Sequence, residues 1–164
     1  MEQRLWQTLN ITNEAVHYSD GKAVGLLGIQ GLLVGIALAF IKSSESSAVS
    51  TPLTATLFAA GTISLAASAA FAVICLTPRL KNGGPVSPMY FGSIAANFKD
   101  RKDYAKFISE NFATDEAICG EISEQILTNA KIAQSKFKWV SWSAKAFGLG
   151  LALWAILIVV ILLS

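Results

Sequence analysis

The sequence has few of the side chains on which most catalytic and metal sites depend. Among its 164 residues His17 is the only histidine, so one subunit cannot build a histidine-rich metal site, and a Ser-His-Asp triad would depend on His17 alone. No phosphate-cradling P-loop and no dinucleotide-binding fingerprint occurs along the chain. A net charge of only +2 gives no broad basic field for DNA or RNA. We therefore expect a protein that is not an enzyme and that has no catalytic residues, cofactor, metal site or nucleic-acid partner.

Charge is absent from three long stretches, residues 23–41, 53–77 and 146–163. A hydrocarbon core about 30 Å thick needs roughly 20 apolar residues as a helix, and backbone polar groups in lipid must be satisfied within that helix. With 53% hydrophobic residues and a mean hydropathy of +0.51, the chain is too apolar for an ordinary soluble domain. The sequence predicts an all-α integral membrane protein with three transmembrane helices and a small helical cytoplasmic lobe.

The segments between these stretches complete the predicted organisation. Residues 1–22 carry apolar side chains at near-helical spacing and are predicted to form an amphipathic helix that leads into the first span. Residues 42–52 form a polar external linker, and residues 78–145 form the lobe. Lysine and arginine number ten in 78–145, two in 1–22 and none in 43–52. The positive-inside rule therefore predicts a cytoplasmic N-terminus and lobe, with the linker and the C-terminus outside.

Helix signals occur at two points in the lobe. Ser87, followed by a proline, is typical of an N-cap, so a helix is predicted to begin there. Thr114 is a second N-cap candidate, and after it apolar residues recur every three or four positions as far as Phe137. No proline follows. We predict one helix from the lobe through the third span, with Gly148 and Gly150 as its weakest points.

Titratable residues cluster where the first span begins, at His17, Asp20 and Lys22. Charged groups at such a boundary can form a gate, a proton relay or a ligand contact. They can also form an interfacial ion pair with a lysine whose ammonium reaches out to the headgroups. The residues alone favour the ion pair.

Small residues form candidate contact faces on two of the spans. Gly31 and Gly35 make a GxxxG pair in the first span, and Ser64 and Ser68 belong to a small-residue ridge on the second. Such faces let helices approach closely, either within one subunit or between copies in an assembly. Both interpretations stay open from the residues.

Aromatic and cationic residues lie together in the lobe. Tyr90 and Phe91 precede a charged corner that contains Lys99, Arg101 and Lys102. Aromatic faces with nearby cations can hold a nucleotide base and its phosphate. A small aromatic core with a solvated rim has the same pattern, and the pattern by itself favours that second interpretation.

Three segments in order resemble a known family. Residues 17–27, HYSDGKAVGLL, resemble the D-x-K-A-x-x-L-L start of the first span in the transmembrane effectors of bacterial Pycsar antiphage systems (PycTM-type). Residues 90–95, YFGSIA, are similar to the aromatic-Gly-x-Ile-Ala element after that family's second span. Residues 125–133, QILTNAKIA, resemble the helix that leads to its last span. Order and spacing agree over about residues 10–160.

The resemblance implies an antiphage defence effector in the bacterial inner membrane, where the outer position that the positive-inside rule predicts for the C-terminus is the periplasm. Such an effector responds to a nucleotide second messenger, oligomerises and permeabilises the membrane, so the implied partners are the lipid bilayer, further copies of the chain and a cyclic nucleotide from a partner cyclase. Because residues 78–145 carry helical patterns, sensing is expected through the helical lobe, an assembled interface or a partner. Asp20 and Lys22 are the first candidates for functional residues. The alternative is a membrane adaptor or immunity-type interaction protein that forms no pore.

Overall fold

A computed structural model describes residues 2–43, 51–77 and 86–163. This part of the chain contains five helices and no strand: α1 (Glu2–Ser43), α2 (Pro52–Leu76), α3 (Phe91–Asn97), α4 (Arg101–Asn111) and α5 (Asp115–Leu163). By length and composition, α1, α2 and α5 can each cross a membrane. The predicted all-α architecture with three spans is confirmed.

Helix α1 joins the N-terminal segment that was predicted to be amphipathic to the first apolar stretch without a break. Its 42 residues contain no proline, and at ~1.5 Å per residue such a helix is about 63 Å long. Most of the predicted external linker, residues 44–50, lies outside the described residues.

Local capping explains the bounds of α2. The Thr51 hydroxyl accepts a hydrogen bond of 3.3 Å from the Thr54 backbone N–H, and Pro52 occupies the first helical position, where its missing N–H costs nothing. At the other end Thr77 is extended, the conformation favoured by a residue that precedes a proline. The helix thus begins and ends where the sequence signals predict.

Helix α5 confirms the prediction of one helix from the lobe into the third span. The Thr114 hydroxyl accepts a hydrogen bond of 3.3 Å from the Ala117 N–H, which satisfies one of the free donors of the first turn. The helix then continues for 49 residues, through Gly148 and Gly150. Neither glycine interrupts it.

The prediction of a helix that begins at Ser87 is wrong. The Ser87 hydroxyl does accept hydrogen bonds of 3.2 Å from the backbone N–H groups of Met89 and Tyr90. Residues 86–90 nevertheless remain non-helical, and α3 begins at Phe91 with Tyr90 in the extended N-cap conformation. Ser87 therefore closes a turn ahead of the helix instead of capping it.

The chain forms two compact units. The first comprises Met1–Tyr18 and Pro78–Gln134. A partly exposed aromatic cluster is built around Phe98, whose ring lies 5.3 Å from Tyr104 and 5.1 Å from Phe107, centre to centre. The Tyr104 hydroxyl donates to the Pro88 carbonyl at 2.8 Å and so ties α4 to the turn before α3.

The second unit comprises Ser19–Thr77 and Ser135–Ser164 and contains all three long apolar segments. Its apolar core contains Ala23 of α1, Ala72 and Cys75 of α2 and Val140 of α5. Large side chains such as Leu32 and Ile63 are exposed at 71% and 68%. Small residues inside and large apolar residues outside are typical of helices that face lipid, where small residues permit close packing.

Candidate functional site

The site that the structure builds is the polar interior of the second unit. Its buried polar or charged residues come from all three long helices and include Ser19, Gln30, Ser68, Lys136 and Ser143. A buried polar group needs a partner, since leaving it unpaired costs free energy in a medium of low polarity. The contacts of these residues therefore decide how the three helices are held together.

An ion pair joins α1 to α5. The Lys136 ammonium donates to the Asp20 carboxylate, and the lysine side chain is 9% exposed while the aspartate side chain is 32% exposed. The backbone carbonyl of Lys136 also accepts a long hydrogen bond of 3.6 Å from the Cys75 thiol of α2. Because a buried ammonium is stable only with a partner, Asp20 is the group that allows Lys136 to lie inside the bundle.

A hydroxyl pair links α2 to α5 further along the bundle. The Ser68 hydroxyl donates to the Ser143 carbonyl at 2.8 Å, and the Ser143 hydroxyl donates to the Ser68 carbonyl at 2.9 Å. The Gln30 side-chain amide of α1 donates to the Ser68 hydroxyl, so Ser68 is bonded to both neighbouring helices. Gln30 Oε1 is buried and has no partner among the described residues.

Two glycines allow the backbones of α2 and α5 to approach closely. A Cβ added at Gly150 would lie 2.8 Å from Leu65 Cδ2 and 3.1 Å from the Gly61 carbonyl. A Cβ added at Gly61 would lie 2.7 Å from the indole nitrogen of Trp154, whose ring stacks on Phe58 with centroids 6.1 Å apart. Neither position can hold a side chain without a shift of its neighbours.

The predicted boundary residues have different surroundings. His17 and Lys22 are exposed on α1, whereas Asp20 is partly buried against Lys136. The residues alone favoured an ion pair at the start of the first span. The structure has such a pair at Asp20, but its cation is Lys136 of α5. Sequence reasoning missed Lys136 because its partner lies 116 positions away.

The small residues proposed for assembly divide into two groups. Ser64 and Ser68 are used inside the subunit, since the Ser64 hydroxyl donates to the Ala146 carbonyl at 3.0 Å and Ser68 bonds to Ser143. Gly31 and Gly35 are exposed, and a Cβ added at either would meet nothing within 4 Å. The GxxxG face of α1 is therefore open on the single subunit.

The predicted aromatic and cationic residues lie in the first unit. Phe91 is 70% exposed, and its ring centre is 5.0 Å from that of Tyr90. Lys99 precedes α4, and Arg101 and Lys102 lie in its first turn; all three are exposed. Within the described residues no hydrogen bond or ring contact joins the aromatic pair to these cations. Among these five residues Phe91 has an exposed ring, and the three cations carry exposed charge.

A polar network that the sequence did not reveal fixes the turn before α3. The Ser87 hydroxyl donates to the Glu121 carboxylate and accepts a hydrogen bond of 2.9 Å from the Gln125 side-chain amide. The same amide donates to Glu121 at 3.2 Å. This network attaches the turn that precedes Tyr90 and Phe91 to α5.

Comparison with known proteins identifies the family of the chain and a relative. The model of the Pycsar effector protein domain family matches residues 4–163. The chain is 27% identical over 154 residues to the Pycsar effector protein PtPycTM of Propioniciclava tarda. The aligned region covers 91% of this chain and 74% of that protein. No solved structure matches the chain.

Proposed function

Because this chain belongs to the Pycsar effector protein family and is a membrane effector of the antiphage type, we propose that it responds to a nucleotide second messenger, oligomerises and permeabilises the bacterial inner membrane. The observation that carries the proposal is the polar interior of the second unit, with the Asp20–Lys136 pair and the Gln30–Ser68–Ser143 network inside helices whose outer surfaces are apolar. Separation of these helices would give them a polar face that water or ions can line.

The proposed trigger is a shift between a resting and an assembled form. A ligand moves such an equilibrium only by the difference between its affinities for the two forms. The exposed Phe91 offers a face on which a base can stack, and Lys99, Arg101 and Lys102 offer charge for a phosphate. Helix α5 extends from the first unit into the second without a break, so it is the proposed transmitter.

The proposed assembly face is Gly31 and Gly35 of α1, since their surface is open on the single subunit. We further propose a cytoplasmic N-terminus and lobe and a periplasmic C-terminus, supported by ten lysines and arginines in 78–145 and none in 43–52. Maleimide labelling of single cysteines in intact cells tests this topology. Labelling of Asp103→Cys but not of Ser46→Cys by an impermeant reagent would reverse it.

Liposomes loaded with a self-quenched dye test the proposed activity. The purified protein is reconstituted and exposed to a panel of 3′,5′-cyclic mononucleotides, and we expect dye release with at least one of them. The variants Phe91→Ala and Lys102→Gln should need more nucleotide, whereas Lys131→Gln, an exposed lysine of α5, should respond like the parent. Protection against phage without dye release or depolarisation would favour the non-pore adaptor instead.

A further inference from the structure

A groove of about 550 Å³ lies between α1 and α5 in the second unit. On α1 it is lined at positions 22, 25, 26 and 29, and on α5 at positions 137, 140, 141 and 144. Both sets follow the spacing i, i+3, i+4, i+7, which is one face of each helix. The groove is therefore a continuous trough between two helix faces.

Small residues keep this trough open. Gly25 has no side chain, and a Cβ added there would meet nothing within 4 Å. Ala144 lines the opposite wall and is exposed, while the buried Val140 and the side chain of Ile29 provide apolar surface. A flexible hydrocarbon chain fits such a surface, because it gains contact without having to satisfy any polar group.

Charge is confined to one end of the trough. Lys22 lines it immediately before the uncharged stretch 23–41, where the helix is expected to enter the hydrocarbon. None of the lining residues is acidic. The trough therefore carries one cation at the predicted membrane surface and, apart from the Ser141 hydroxyl, apolar walls below it, which is the pattern that an anionic amphiphile complements.

We propose that this groove binds one anionic phospholipid, with the phosphate at the Lys22 ammonium and an acyl chain along Gly25, Ile29 and Ala144. Ile29 lies seven positions after Lys22, a rise of about 10 Å along α1, and the α5 wall at 137–144 ends just before the uncharged stretch 146–163, so the groove holds the headgroup and the first part of the acyl chain. A zwitterionic lipid brings a second, positive headgroup charge, so it binds more weakly. The inference does not depend on pore formation.

Native mass spectrometry of the protein in an uncharged detergent measures the binding. Phosphatidylglycerol and phosphatidylcholine of identical acyl chains are titrated separately. We expect phosphatidylglycerol to bind about fivefold more tightly, the size of effect that one lysine gives at an anionic headgroup. Lys22→Gln should abolish that preference, whereas Lys138→Gln, an exposed lysine of α5 outside the groove, should keep it.

The acyl part of the site is tested by filling the groove. Gly25→Leu should weaken the binding of both lipids, and Gly28→Leu is the matched control because Gly28 is exposed on α1, has the same open space and does not line the groove. Ala144→Leu fills the groove from the other helix. It replaces Gly25→Leu in the binding measurement if circular dichroism shows that Gly25→Leu does not fold.

Three results would overturn the proposal. They are equal binding of the two lipids by the parent protein, an unchanged preference in Lys22→Gln, and unchanged lipid binding in both filled variants. If the filled variants instead lose a dimer peak and keep their lipid, the groove accepts a second copy of the chain. If glycerol phosphate displaces the lipid, the site holds a phosphate alone and the acyl chain has been assigned wrongly.

Discussion

Ser68 and Ser143 each donate a hydrogen bond to the other's backbone carbonyl, at 2.8 and 2.9 Å. The exchange joins α2 to α5 at a point where both residues are fully buried. Ser68 has a further role, since its hydroxyl accepts from the Gln30 amide of α1. Of the two serines, Ser68 therefore connects three helices and Ser143 connects two.

This difference predicts unequal costs for two matched substitutions. Ser68→Ala removes the acceptor of the Gln30 amide and the second hydrogen bond to the Ser143 carbonyl, which keeps its bond within α5, and should lower the free energy of unfolding by about 1 kcal/mol. Ser143→Ala removes only one donor and should cost about half as much. Thermal unfolding in detergent, followed by circular dichroism, measures both. Ser141→Ala on the exposed face of α5 is the control, and equal effects of all three changes would contradict the network.

The buried ion pair predicts a strong dependence of Lys136 on Asp20. Asp20→Asn leaves the ammonium inside the bundle without a counter-charge and should destabilise the unit by about 3 kcal/mol, at the lower end for buried pairs because the carboxylate is 32% exposed. Combining it with Lys136→Met should restore most of the loss, since no unpaired charge then remains. Unfolding of the single and double variants measures the coupling free energy.

Lys138→Met provides the control for that cycle, because Lys138 is exposed on the same helix. Additive effects of Asp20→Asn and Lys136→Met would show that the two side chains do not interact. In the dye-release assay the single variants should also change the response, whereas Lys138→Met should not.

The sequence predicted the spans, the continuous α5, its N-cap at Thr114 and the buried Ile122 and Ala133, but not which face of α5 is buried from Lys136 onward. The apolar row expected on α5 ended at Phe137, yet Phe137 is exposed at 37% and the neighbouring Lys136 is buried. In a soluble protein apolar residues mark the inside, whereas lipid is as apolar as the core and removes that signal. Burial in this bundle instead follows small and polar residues, as Ser143 and Gly150 show.

Two glycines on α5 should respond in opposite ways to the same substitution. Gly150→Ala places a methyl group 2.8 Å from Leu65 Cδ2 and should destabilise the second unit by about 1–3 kcal/mol. Gly148→Ala meets nothing within 4 Å and should be neutral or stabilise the helix by up to ~1 kcal/mol. Thermal unfolding midpoints in one detergent compare the pair. Similar losses at both positions would mean that α2 does not approach α5 closely at Gly150.

The open GxxxG face of α1 leads to the last prediction, which concerns assembly and leaves the fold unchanged. Gly31→Leu and Gly35→Leu add side chains where the single subunit has free space, so the unfolding midpoint of each variant should stay within a few degrees of the parent. Between copies the same side chains would keep the helices apart, because a GxxxG contact requires backbones to come close. Cross-linking in membranes and mass in detergent should therefore shift toward the monomer. Gly148→Leu makes the matching change on an open position of α5 and should assemble like the parent. Oligomers that persist in both α1 variants would show that copies meet elsewhere and that this face contacts only lipid.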